Sequence, residues 1–402
     1  MDILPILRSL AKSKVGALLI GVQIALTLAI VCNSLSVIQQ FVQRMQQPTG
    51  IDEANIFTVA AAWIADPPDL EAQIRGDLAA IRALPEVVDA YSGISIPLDG
   101  GGYTMSMSVK PDQRTATAFG AIYHTDEHGL AAFGLKLSAG RWFKSDEVGL
   151  LRYYENKFPS SIIVTEDMGK ALFPAGNALG QMVYFTPTQS ARIIGVVARA
   201  QTPWAATGAL TERSIFLPAL PLNKSTLYVV RARPGQLALA MHVVQDKMFA
   251  IDAHRTIQSV TPFSETRHVA YLLPRTIAIM LAVVSALLLA VTGFGVVGLT
   301  AYWVTQRRRQ IGMRRALGAR KADILAYFHT ENLLIVGLGC ALGIGLGLLL
   351  NTTLASSLEM TRMSVGYICL GALIVLALCQ AAVIWPALRA ASIPPATATR
   401  TE

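Results

Sequence analysis

Thr276–Gln306 reads TIAIMLAVVSALLLAVTGFGVVGLTAYWVTQ and is followed at once by Arg307, Arg308 and Arg309. A helix needs about 20 consecutive apolar residues to cross a hydrocarbon core, and this run holds no charged residue along its whole length. Three other charge-free runs pass the same test: Val15–Gln43, Asn332–Leu358 and Met363–Leu388. Together they predict membrane spans at 15–38, 276–305, 332–357 and 365–388. With no charge inside any of them, the sequence predicts neither a proton relay nor a buried ion pair in the membrane, so the energy for any transport comes from outside the chain.

The composition agrees. Apolar residues make up 53% of the 402 and charged ones 15%, with a mean hydropathy of +0.46, whereas soluble domains carry roughly 25% charged residues. The net charge of +8 is concentrated beside the apolar runs, which points to an anionic membrane surface and away from nucleic acid. Cys32, Cys340, Cys369 and Cys379 all fall within the runs, as small core residues. The polar middle of the chain therefore has no disulfide of its own. The first run is too long for a signal peptide and shows no clean cleavage site, so it reads as a retained anchor.

Orientation follows from Lys and Arg in the short flanks. Arg8, Lys12 and Lys14 precede the first span, the segment from Arg307 to Lys321 joins the second and third, and Arg389 and Arg400 follow the fourth. The loop 358–364 has only Glu359 and Arg362. Both termini (1–14 and 389–402) and the connection 306–331 are thus expected in the cytoplasm, with 39–275 outside. Tyr302, Trp303 and Trp385 are expected at the inner interface and Tyr367 at the outer one. Gly339, Gly343 and Gly347 form a small-xxx-small ridge for helix packing, within or between protomers. Gly293, Gly295 and Gly298 are expected to interrupt the second span.

The external segment carries short β-rich runs and a few amphipathic helices. Asp69, after Pro67-Pro68, opens a helix with Leu70, Ile74, Leu78 and Ile81 on one face, flanked by strands at 56–63 and 87–96. Near the other end, 227–233, 236–249 and 256–261 read as strand, helix and strand. Two βαβ units thus lie close to the anchors, and about 103–222 reads as an inserted, strand-rich lobe. Asp99-Gly100-Gly101-Gly102 is a turn. The fold class is an α-helical membrane protein with four transmembrane helices plus an α+β periplasmic domain of two lobes.

No G-x-x-x-x-G-K-[ST] loop, G-x-S-x-G elbow or H-E-x-x-H helix occurs in the sequence, so no catalytic residue is nominated and ATP chemistry has to be supplied elsewhere. His124-Thr125-Asp126-Glu127-His128 has metal-ligand residue types, but in a short polar loop without a full donor set, so no metal site is assigned. The most informative segment is the connection Gln306–Leu325, QRRRQIGMRRALGARKADIL. Contact with lipid headgroups would explain its arginines. It would not explain Ile311 and Leu317, which water would waste; a short helix docking into a partner's groove would.

At this segment the chain resembles the MacB/FtsX-like permease family of ABC transporters, whose signature after the second span is approximately R-x-x-E-I-G-x-x-x-A-x-G-A-x-x-x-x-I. Arg307, Ile311, Gly312, Ala316, Gly318, Ala319 and Ile324 match it, and Gln310 stands where the family has an acid. Gly140-Arg141-Trp142-Phe143 is similar to the family's G-R-x-F turn. Ile162–Val197, with Ala171-Leu172-Phe173-Pro174 and Ile194-Gly195-Val196-Val197, is similar to its periplasmic core. Pro386–Ala391 resembles the P-x-R-A-A ending, whereas Ile393–Ala398 departs from the D-P-x-x-A-L-R tail.

The resemblance implies a non-catalytic permease subunit that couples a separate cytoplasmic ABC ATPase to motion of its periplasmic domain. The implied coupling residues are Arg307, Arg308, Arg309, Ile311, Gly312, Arg315, Ala316, Leu317, Gly318 and Ala319. No cofactor is expected on this chain, ATP and Mg²⁺ residing on the ATPase. The implied partners are that ATPase, a second permease copy or paralogue, and membrane lipid; a periplasmic adaptor with an outer-membrane channel would favour extrusion. Efflux of periplasmic substrates is the leading reading. A lipoprotein-release or cell-division type of mechanotransmission, an antimicrobial-peptide sensor and a membrane-anchored enzyme stand as alternatives.

Overall fold

The computed structural model describes residues 14–65, 67–152, 158–205, 210–358 and 363–392. The flanking charges Arg8, Lys12 and Arg400, the loop residues Glu359 and Arg362, and the tail Ile393–Ala398 lie outside the described residues. In chain order the elements are α1 (Lys14–Gln46), β1 (Ile56–Trp63), α2 (Leu70–Arg82), β2 (Val87–Gly93), β3 (Tyr103–Met107), β4 (Ala118–Thr125), α3 (Gly129–Phe133), β5 (Leu137–Gly140) and β6 (Gly149–Leu151). There follow β7 (Ser161–Thr165), α4 (Glu166–Leu172), β8 (Met182–Thr186), β9 (Gln189–Val197), β10 (Ser214–Pro221), β11 (Ser225–Ala232), α5 (Leu237–Ile251) and β12 (Arg255–Pro262). The chain ends with α6 (Phe263–Ala270), α7 (Leu272–Gln306), α8 (Arg308–Ala316), α9 (Lys321–Leu358) and α10 (Val365–Ala391). It divides into a membrane unit, residues 1–45 with 274–402, and a second unit, residues 46–273.

Within the second unit, β1-α2-β2 and β11-α5-β12 build one sheet in the order β12-β1-β11-β2, with antiparallel neighbours throughout. Each βαβ unit skips one strand, which makes this the split βαβ arrangement of ferredoxin-like domains. Helix α2 starts where Asp69 accepts the backbone N–H of Ala72 at 3.0 Å. It buries Ile74, Leu78 and Ile81 against Phe57, Val59, Tyr228 and Val230 of the sheet and Val244 and Met248 of α5. Asp77 shares that buried face. Arg255 grips it with two hydrogen bonds of 2.8 Å, and the Tyr228 hydroxyl donates a third at 2.6 Å. A fully enclosed carboxylate survives only when paired and hydrogen-bonded in this way.

The inserted lobe is a mixed sheet in the order β3-β4-β10-β7-β9-β5, with β6 added to β10 and β8 to β9. Helix α4, capped by the Thr165 hydroxyl, packs Met168 and Leu172 onto Ile162, Val164 and Ile193. The Gly-Arg-Trp-Phe turn has a steric reason. A Cβ on Gly140 would strike the Ile194 carbonyl, and one on Gly195 would strike that of Arg141, so β5 and β9 approach only because both positions lack a side chain. In the Asp99–Gly102 turn the Asp99 carboxylate accepts the N–H groups of Ile96 (2.8 Å) and Gly101 (3.0 Å).

Four helices of the membrane unit, α1, α7, α9 and α10, are long and apolar enough to cross a membrane. The glycine ridge on α9 meets α1 of the same chain. A Cβ on Gly339 would lie 2.8 Å from the Ile24 side chain, and one on Gly343 would lie 2.8 Å from the Ala25 carbonyl oxygen. Gly347 follows at 3.5 Å from the Ala29 Cα, and its carbonyl accepts Asn33 Nδ2 at 3.0 Å. Other polar side chains bind across helices, with Thr27 on Thr292 (2.8 Å), His329 on Gln380 (2.8 Å) and Asn332 on the Cys379 carbonyl (3.1 Å).

Several expectations change here. Gly293, Gly295 and Gly298 do not interrupt their span, because α7 runs unbroken from Leu272 to Gln306. Trp303, expected at the inner interface, packs inside the unit with Arg307 over its ring at 5.6 Å. His124 belongs to strand β4 instead of a polar loop. The expected lack of a buried ion pair also fails, because α9 begins at Lys321 and carries Glu331 inside the unit, where Arg307 binds it.

Candidate coupling site

Helix α8 is short and strongly basic, and propensity alone would not hold it in water. Its ends are tied instead. At the C-terminus Gly318 has φ +99°; its N–H donates to the Arg315 carbonyl, and that of Ala319 to the Arg314 carbonyl. These are the paired bonds of a Schellman stop, which needs the left-handed conformation that glycine tolerates. The next helix is started by Asp323, whose carboxylate accepts the Arg320 N–H at 2.8 Å, half of a capping box.

The two faces of α8 differ. Ile311, Gly312 and Arg315 recur at helical spacing and turn inward, whereas Arg308, on the same side one turn earlier, is exposed. Ile311 is buried in the cluster that holds Trp303, Ile324, Phe328, Ala387 and Ala390, and Gly312 is buried beside it. Arg315 Nη1 donates to the Ala391 carbonyl at 3.0 Å. The opposite face presents Arg309, Met313, Ala316 and Leu317, all exposed, with Met313 at 50% and Leu317 at 89%. The inference that water would waste Ile311 is therefore corrected, since its own chain covers it. Leu317 stands in the open, joined by Met313, which pattern reading passed over although it sits four residues before Leu317.

Arg307 is not on the outer face either. Its Nη1 lies 2.9 and 3.0 Å from the two carboxylate oxygens of Glu331, a side chain only 1% exposed. The pair pins the α7–α8 junction to α9. The remaining expected residue, Ala319, is half-buried just past the Schellman turn. Gly339, Gly343 and Gly347 lie on α9 against α1, apart from α8.

A second cluster, inside the 46–273 unit, was not singled out from the sequence. Arg267 on α6 holds both Glu53 oxygens at 2.7 Å and the Gln47 carbonyl at 3.0 Å. Glu53 also accepts Thr49 Oγ1 at 2.6 Å and the Thr49 N–H at 3.1 Å. Gln201 donates its backbone N–H to Thr49 and its side-chain amide to the Tyr271 hydroxyl. The segment that follows α1 and the segment that precedes α7 are thereby locked to each other. A sequence signal existed in the opposite charges next to the two ends of the domain.

The MacB-like periplasmic core domain matches residues 18–246, more than half of the chain, and the FtsX-like permease C-terminal domain matches residues 282–395. The chain belongs to the MacB/FtsX-like permease family. Among curated relatives of this permease, the macrolide export ATP-binding/permease protein MacB of Azoarcus sp. (strain BH72) is 29% identical over 294 residues, covering 68% of this chain and 39% of the relative. Its counterpart in Escherichia coli (strain K12) is 25% identical over 366 residues, 86% of this chain and 52% of the relative. The permease thus spans about half the length, or less, of these relatives. The crystal structure of the periplasmic region of MacB from Actinobacillus actinomycetemcomitans aligns with 56% of the chain and 97% of its own at 16% identity, with a TM-score of 0.35. Four apolar helices and a MacB-type periplasmic domain fit a multi-pass inner-membrane protein.

Proposed function

We propose that this permease couples a separate cytoplasmic ABC ATPase, which carries the ATP and Mg²⁺, to motion of its periplasmic domain for the extrusion of periplasmic substrates. The observation that carries the proposal is the outer face of α8. Arg309, Met313 and Leu317 stand exposed on a helix whose inner face, C-terminal stop and neighbouring ion pair are all fixed. Burying Leu317 in a partner's groove contributes about 1.5–3 kcal/mol, and Arg309 beside it favours an acidic rim. The Arg/Lys-rich flanks support cytoplasmic termini and an external 46–273 unit.

Motion has stiff carriers. Helix α1 is continuous to Gln46, and the next residue belongs to the Glu53–Arg267 cluster; α7 begins just after that cluster ends. Rigid helices anchored to a fixed junction can convey a rigid-body displacement. A second copy or paralogue, and a periplasmic adaptor with an outer-membrane channel, complete the proposed assembly. The relatives' macrolide-export names make macrolides the first substrates to try. The chain itself is taken as non-catalytic.

The test is purification of the tagged permease in mild detergent, identification of co-purifying proteins, and an ATPase assay. A P-loop ATPase recovered with the parent and lost from Leu317→Asp is the expected result. Such a variant should keep its fold, because Leu317 touches little of its own chain. Failure to recover an ATPase from folded parent protein, or undiminished recovery with Leu317→Asp, would sink the docking assignment.

A further inference from the structure

At the basic end of the membrane unit, the ends of α7 and α10 enclose a recess of about 370 Å³ with the first turn of α8, lined by Thr305, Arg308, Trp385, Pro386, Arg389 and Ser392. Two guanidinium groups line this one space, and neither has a carboxylate partner among the described residues. The described carboxylates of the unit are already engaged, Glu331 by Arg307 and Asp323 by the Arg320 N–H. The recess hydroxyls give their protons away as well, Thr305 to the Ala301 carbonyl and Ser392 to that of Arg389. What remains is a pair of planar cationic forks with free donors, the group best shaped for phosphate oxygens.

The surroundings are those of a membrane interface. Trp385 is 60% exposed with the Arg389 guanidinium 5.6 Å from its ring centroid, and Ile384, Leu388 and Tyr302 are exposed nearby on the same helices. Indole and phenol rings favour the headgroup level, and exposed aliphatic side chains beside a cationic recess suit a molecule with a charged head and apolar tails. Basic pockets between transmembrane helices bind anionic lipid headgroups. We propose that this recess is a binding site for the phosphodiester headgroup of an anionic phospholipid, held by Arg308 and Arg389 with its acyl chains along Trp385 and Leu388. Arg308 lines the recess and Arg309 does not, which separates the role of Arg308 from that of Arg309 on the outer face of α8.

The permease, purified in mild detergent, is titrated with phosphatidylglycerol, with phosphatidylethanolamine and with inorganic phosphate, and bound lipid is counted by native mass spectrometry. The expected result is one phosphatidylglycerol retained per chain in preference to phosphatidylethanolamine. Its affinity should fall about thirtyfold in Arg308→Gln/Arg389→Gln, from roughly fivefold for each arginine near a lipid surface. Arg309→Gln should leave it unchanged, and Arg308→Lys/Arg389→Lys should recover part of it. Equal retention by the glutamine pair, or no preference over phosphatidylethanolamine, overturns the proposal. Release of the lipid by millimolar inorganic phosphate also overturns it, assigning the recess to free phosphate. Should the glutamine pair not yield monodisperse protein, quenching of Trp385 emission by dibrominated phosphatidylglycerol reads the same contact, with Trp385→Phe assigning the signal. Quenching no stronger than that by dibrominated phosphatidylcholine would equally overturn it.

Discussion

Arg267 holds both carboxylate oxygens of Glu53 at 2.7 Å, across 214 positions of sequence. One residue lies just after the first membrane helix and the other just before the second. The bond therefore ties together the two ends of the 46–273 unit, and Thr49 and Gln47 share in it. Interactions between charged, partly buried groups of this kind contribute about 1.5–3 kcal/mol each.

Glu53→Gln and Arg267→Gln are each expected to lower the melting temperature of the 46–273 unit by a few degrees, while ATPase binding at α8 persists. If the base of the unit conveys motion, transport should fall much further than stability. Parallel measurement of the thermal transition, ATPase co-purification and substrate export separates the two. Export that declines only in proportion to folded protein would remove the junction from the mechanism.

Glu331 presents a different case, because its carboxylate is sealed inside the membrane unit and Arg307 is its charged partner among the described residues. Removing one partner of a buried pair leaves an uncompensated charge and costs about 3–5 kcal/mol. Arg307→Met is therefore expected to destabilise the detergent-solubilised protein severely. Arg307→Met with Glu331→Met should be milder than either single change. A thermal aggregation series over the four proteins tests this, and simple additivity of the two single losses would refute the pairing.

These two ion pairs mark where sequence reading reached and where it stopped. The spans were legible because a charge-free run of such length has one common physical solution, and the two βαβ units because Leu70, Ile74, Leu78 and Ile81 repeat at helical spacing beside strands. Glu331 lies one position outside a charge-free run, and hydropathy cannot register a helix that continues past the run or the partner it finds there. Ile311 and Leu317 look alike in composition, yet one is core and the other is open. Only the packing of α8 against Trp303 and Ala390 distinguishes them. Gly343 was recognisable as a packing position, but its partner in α1 depends on tertiary contacts that no local pattern encodes.

That partner makes Gly343 a sharp test. A Cβ there would sit 2.8 Å from the Ala25 carbonyl and 3.0 Å from both the Ala25 Cα and the Leu28 Cβ, so the first helix would have to retreat. Gly343→Val is expected to cost about 1–3 kcal/mol or more through overpacking, seen as lower yield and an earlier thermal transition. Gly298→Ala and Gly345→Ala have nothing within 4 Å and should be neutral or slightly stabilising. Equal behaviour of all three variants would show that α1 and α9 do not meet at Gly343.

The 46–273 unit also holds two groups whose titrations oppose each other. Burial pushes His124 down to about 4 from its usual 6.5, and its Nδ1 is sealed without a partner among the described residues. Burial pushes Asp99 up to about 6 from its usual 3.8, against the lowering effect of the Ile96 and Gly101 N–H groups. For His124 the folded value lies below the unfolded one, so its contribution to stability is complete above pH 6.5 and is lost as pH falls towards 4. For Asp99 the folded value lies above the unfolded one, so its contribution is complete below about pH 3.8 and is lost as pH rises through 6. Between pH 4 and 6 the two slopes nearly cancel. Relative to the parent, His124→Asn should therefore grow more stable as pH falls from 6.5 to 4, and Asp99→Asn should grow more stable as pH rises from 4 to 6. Melting temperatures recorded every half pH unit test both signs, and a difference curve of constant height for either variant would show that its parent residue titrates as it does in the unfolded chain.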